Sequence, residues 1–181
     1  MSNLRLRKVS VPPIVMCNQR LRKVAADMEY GSIERELYVD APPQVVFDVL
    51  TDPEHIRDWW SAETDFEATP GRPGSLTWTN EASGVRKSVP FTVVASDPPR
   101  TLSFRWIHED GETAAPGNSL LVTFELTPAG EGTTLRFRES GYRERGWEAA
   151  VLEEHYNDHR QGWDFYLPRL AATAKQVAGA R

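Results

Sequence analysis

The chain has a single cysteine, Cys17, among its 181 residues, so neither an intramolecular disulfide framework nor a cysteine-rich zinc site can form. That scarcity fits a reducing compartment, and a cytoplasmic location is expected. No apolar run approaches the ~20 residues needed to span a bilayer, so membrane insertion is not expected. The nucleophile elbow GxSxG, the phosphate-binding P-loop and the glycine pattern of dinucleotide-binding turns are all missing. No cofactor is therefore expected. Basic charge is also short. The net charge is −5, and residues 31–181 hold fifteen Lys or Arg against twenty-four Asp or Glu. A body that acidic has no electrostatic footing for nucleic acid.

The basic charge that exists is concentrated at the front. "RLRKV" occurs at 5–9 and again at 20–24, around the apolar "VSVPPIVMC". Pro12 and Pro13 break the run that a secretory signal needs, and Met16 stands where lipoprotein cleavage wants a small residue. Residues 1–30 read as a basic, disordered extension, and 31–181 as the folded domain. Met28 opens the stretch where patterned sequence begins.

In "SIERELYV" (32–39), Ile33, Leu37 and Val39 share one face while Glu34 and Glu36 take the other, the alternation of a half-buried strand. Arg35 falls on the apolar face and needs a partner or an exposed place. "DAPPQVVFDVL" then reads as a helix with prolines in its first turn, and "DPEHIRDWW" as a second, capped by Asp52. Ile56, Trp59 and Trp60 lie at i, i+3 and i+4, on one side of it. From about 63 to 141, short strands alternate with turn signals such as "ATPGRPGS", "DPPR" and "PAGEG", which favours an antiparallel meander. Pro90 implies a bulge or an edge in its strand. Residues 147–178 carry a helical stripe, with Pro168 expected to kink or divide the helix. A sheet flanked by two short helices and one long one is α+β, and only the last helix is long enough to cover the sheet.

Four stretches carry a family resemblance: "ERELYVDAPPQVVFDVLTDPEHIRDWW", "SDPPRTLSFRW", "GTTLRF" and "GWDFYLPRLAATA". In that order they resemble the Hsp90-ATPase-activator-homologue-like group of the START/Bet v 1-like (SRPBCC) superfamily, through most of residues 32–175. The resemblance implies a helix-grip fold, a curved antiparallel sheet wrapped around the C-terminal helix with a hydrophobic cavity between them. Superfamily members bind lipids, sterols, polyketides or plant hormones, and some are aromatases or cyclases. The eukaryotic activators rely on a separate N-terminal domain for much of their Hsp90 contact, for which these residues leave no room.

Within that architecture several side chains are candidates. Trp78, Trp106, Trp163, Phe91 and Phe124 are candidate cavity walls, although each alone also suits an ordinary core. Glu139 follows Leu135 and Phe137 on one side of the last strand. It faces the cavity, or sits in water past the sheet's edge, or pairs with Arg35, Arg105 or Arg138. A buried lone carboxylate suits a polar ligand contact or proton transfer. His155 and His159 are one turn apart on the final helix, expected inside the cavity and at its mouth. Their i, i+4 spacing alone does not make a metal site, because no HExxH glutamate accompanies them. In the "WW" pair, Trp59 is expected to anchor its helix and Trp60 to form the cavity rim.

The leading expectation is therefore a binder of a small hydrophobic molecule: a lipid, sterol or aromatic polyketide. An aromatase/cyclase-type enzyme using Glu139 and His159 is the alternative, and a chaperone-interaction module the third. A homodimer and a chaperone partner are the further partner expectations.

Overall fold

Inward-facing residues of "SIERELYV" pair with the inward face of the last strand, Ile33 opposite Glu139 and Leu37 opposite Leu135. The computed structural model that shows this describes residues 30–181, so the basic extension, Tyr30 apart, lies outside the described residues. Strand β1 (Ser32–Val39) is followed by helices α1 (Pro43–Thr51) and α2 (Pro53–Trp60). Next come β2 (Glu63–Thr64), β3 (Pro73–Thr79), β4 (Arg86–Asp97), β5 (Thr101–Trp106), β6 (Leu120–Ala129) and β7 (Gly132–Ser140). Helix α3 (Ala149–Gly179) closes the chain.

The strands form one sheet in the order β1-β7-β6-β5-β4-β3-β2, every pair antiparallel. The expected meander is present, with β1 carried across to the last strand. Curved around α3, the sheet makes the α+β helix-grip. Arg35, the polar residue on the inner face of β1, reaches α3 and forks onto Asp164 at 2.7 and 3.1 Å.

Asp52 joins the two short helices. Its backbone N–H donates to the Asp48 carbonyl at the end of α1, and its carboxylate accepts from the Glu54 N–H at the start of α2, both at 2.8 Å. One residue thus serves as stop and as cap. Pro53 follows in the first turn, where no N–H is needed.

The two proline expectations resolve differently: Pro90 stands at an edge and not at a bulge, and Pro168 does not divide its helix. The bulge in β4 falls at Val94, where the register with β5 shifts, and not at Pro90. Pro90 lies just beyond the last β4–β5 pair (Phe91 with Trp106), so its strand has a neighbour on one side only. Pro168 does not divide α3, which is continuous for 31 residues. Pro168 is exposed, so the carbonyl one turn back that loses its N–H partner can turn to water. Among the described residues, no helix is long and apolar enough to cross a membrane.

Inside the grip, rings fill much of the space. Phe124, Phe137 and Trp163 pack together under β6 and β7, with Phe137 and Trp163 centroids 4.4 Å apart. Phe66, Phe91 and Phe104 form a second group under β4 and β5. One space that stays open is a cleft of about 470 Å³ between the β3–β4 strands, the end of β5 and the middle of α3.

Candidate functional site

The site is built around Glu139. Its place two residues after Phe137 and four after Leu135 turns it inward, and it is fully buried. A carboxylate is an acceptor-only group, so burial is tolerable only if donors converge on it. Four do. The Trp106 indole N–H donates to Oε1 at 2.7 Å and that of Trp163 to Oε2 at 2.8 Å. The Tyr142 hydroxyl donates to Oε2, and His159 Nδ1 lies 3.1 Å from both oxygens. None of the three candidate arginines takes part. Arg35 is held by Asp164, Arg138 faces outward to Glu34 at 3.3 Å, and Arg105 reaches the Ser119 hydroxyl at 3.5 Å.

Three separate pieces of chain deliver these donors. Trp106 ends β5, while His159 and Trp163, one turn apart, share a face of α3. Tyr142 comes from just past β7, where Gly141 takes φ +107. Glycine suits that turn, because its missing Cβ would come within 3.0 Å of the Ser119 carbonyl. Burial above all, then the Glu139 charge, pushes the Tyr142 phenol far above its ordinary value. It therefore stays protonated and donates.

With Nδ1 facing Glu139, His159 presents Nε2 as its remaining polar atom, and His159 lines the cleft. This is the orientation logic of a carboxylate–histidine pair: the carboxylate fixes the ring and leaves the outer nitrogen for a visitor. Around that nitrogen the cleft is aromatic, walled by Trp60, Trp78, Trp106, Trp163, Phe165 and Tyr166. Gly162 lines it from α3, and a Cβ there would meet nothing within 4 Å. Ile107, on the opposite wall, holds φ +57, a conformation β-branched residues rarely adopt.

The model of the family described as "Activator of Hsp90 ATPase homolog 1-like protein" matches residues 40–175. The chain belongs to that family. No curated protein matches it. Solved structures show the same fold at low identity. A Mesorhizobium loti protein is 24% identical with a TM-score of 0.64, the match covering 80% of this chain and 97% of that one. An Arthrobacter aurescens protein is 15% identical with a TM-score of 0.67, covering 82% and 88%. DynU16, a protein of the dynemicin biosynthetic locus, is 22% identical with a TM-score of 0.59; the match covers 83% of this chain and 49% of DynU16.

In this Hsp90-activator-like domain the nine side chains singled out in the sequence divide clearly. Trp60, Trp78, Trp106, His159 and Trp163 line the cleft, and Glu139 sits directly behind it. Phe91, Phe124 and His155 do not line it. Phe91 is packed under Gly74 and against Phe66, and Phe124 against Phe137 and Trp163. His155 instead stacks on Trp147 at 4.3 Å and 15°, with Arg145 also over that indole. Burial first, and then the neighbouring His159, hold the His155 pKa below its ordinary value. Among the described residues no three His, Cys, Asp or Glu side chains gather to hold a metal.

The tryptophan pair is less divided than the sequence suggests. Trp59 anchors α2 as expected, its indole N–H donating to the Val49 carbonyl of α1 at 3.1 Å. Trp60 does reach the cleft, but it is 95% buried and touches Trp78, Phe104, Trp106 and Trp163 as well as stacking on Trp59. It is wall and core together. Sequence reasoning missed Tyr142, Lys87 and Phe165. The alternation Lys87, Val89, Phe91 along β4 could have exposed the lysine; nothing local marks the tyrosine.

Proposed function

We propose that the domain binds a small, ring-bearing hydrophobic molecule in the aromatic cleft, with one hydroxyl directed at His159 Nε2. The observation that carries this reading is the pairing of an open aromatic cleft with a single histidine fixed from behind by a buried carboxylate. The cleft volume falls in the ~300–1,000 Å³ range usual for small-molecule sites, and flat indoles supply area together with orientation. A hydroxyl suits His159, because it can either donate to a bare ring nitrogen or accept from a protonated one. A fold neighbour comes from a biosynthetic locus, which makes ring-bearing biosynthetic intermediates the first molecules to screen.

The test is native mass spectrometry of the purified chain for a co-purified ligand, followed by calorimetric titration of the molecule found. A Gly162→Leu variant should keep or slightly raise its melting temperature and lose binding, because the new side chain enters the cleft and not the core. Retained binding in that variant would place the ligand elsewhere and end this reading.

The Glu139–His159 contact favours a second reading, in which the same cleft moves protons as in a cyclase. His159 would be the group that touches the substrate, and Glu139 a positioning residue behind it. His159→Gln should then abolish turnover of a ring-forming substrate while leaving its binding nearly intact. Turnover that survives the change excludes this version.

A further inference from the structure

Lys87 is out of character for its position. It sits on β4 opposite Trp78 of β3, and it shares the concave face with buried Val89 and Phe91. That face is otherwise apolar along the strand, yet the lysine lines the cleft. Its neighbour Arg86 is neutralised by Glu63 at 2.8 Å, whereas Lys87 joins no ion pair among the described residues. The other charged or titratable groups in the cleft wall are Asp158, His159 and Tyr166, all on α3. His159 faces Glu139, so the lysine is left as an uncommitted cation beside an aromatic slot.

We infer that Lys87 selects ligands with an anionic group at the β3–β4 side of the cleft: the natural ligand class is a ring-bearing carboxylate. This rests on the ligand-binding reading above and deepens it. An apolar slot gives affinity for rings of many kinds, while a lone charge at its side discriminates among them. Asp158, across the cleft, opposes any anion, so the preference depends on Lys87 outweighing it.

Two matched probes separate the ideas: 2-naphthol, and 6-hydroxy-2-naphthoate, which adds a carboxylate at the far end of the same ring system. Each is titrated calorimetrically into the full chain at low and at high salt. The carboxylate should bind about three- to fivefold more tightly at low salt, the size expected of a solvent-exposed charge pair, and lose that advantage at high salt. Lys87→Met should reverse the preference, since Asp158 remains, while Lys87→Arg should keep it. Because Lys87 is exposed, these variants leave the core untouched. Equal affinity for the two probes, or a preference unchanged in Lys87→Met, overturns the inference and leaves the binding reading standing. Binding of neither probe overturns both.

Discussion

At the scale of single residues, Glu139 is where the fold is most exposed to a small change. Four donors converge on two oxygens that water does not reach. Glu139→Gln keeps the shape but replaces one acceptor with an NH₂ aimed at other donors. We expect it to destabilise the domain by about 2–3 kcal/mol, the cost of leaving buried polar groups unpaired, measured by urea unfolding. Tyr142→Phe should cost less, about 1–2 kcal/mol, because only one donor is lost. Tyr142 also predicts a pH response. Its folded-state pKa is raised, so it stays protonated in the folded protein while the unfolded chain ionises at an ordinary phenol value near 10. The folded state then holds more protons, and stability falls as pH rises above that value. Unfolding curves between pH 8 and 11 should show the fall, with a shallower slope in Tyr142→Phe.

At the scale of elements, helix α3 contains a glycine where its neighbours favour longer side chains. Gly162 lies in the helix interior with open space where its Cβ would be. Gly162→Ala should stabilise the domain by roughly 0.5–1 kcal/mol through backbone entropy alone. For a domain of this size that is a rise of about 1–4 °C in melting temperature. Elements were the most legible level of the sequence. Alternation in "SIERELYV" and "TTLRFRES" gave the inward faces of β1 and β7, and Glu139 could be placed inward by counting from Leu135 and Phe137. Tyr142 could not be found in that way, because it lies past the strand and is brought back by a turn at Gly141. Whether Pro168 divides its helix was illegible for a related reason: that depends on which side of the helix faces water, and that is a tertiary fact.

At the scale of the whole molecule, the ring cluster ties the parts together. Trp60 belongs to α2, yet it touches β3, β5 and α3 through Trp78, Trp106 and Trp163. We therefore expect Trp60→Ala to destabilise the domain by about 3–5 kcal/mol, similar to Trp59→Ala, and to impair binding as well. Thermal denaturation of the two variants side by side checks this; a Trp60→Ala protein as stable as the parent would show that its ring is a rim and no more. The sequence announced an aromatic-rich interior but not its division. Which rings fill and which rings line depends on how far the sheet curves from the helix, and no local pattern encodes that distance.

Four of the six tryptophans line the cleft, and Trp60 joins the other three with centroids between 5.2 and 5.8 Å. Indoles that close, at fixed tilts of 41° to 77°, are electronically coupled chromophores. The protein thus carries its own optical reporter. Near-ultraviolet circular dichroism should show coupled indole bands that change when a ligand enters and vanish on unfolding. Energy transfer within the cluster should make intrinsic fluorescence respond to occupancy of this cleft before any label is added.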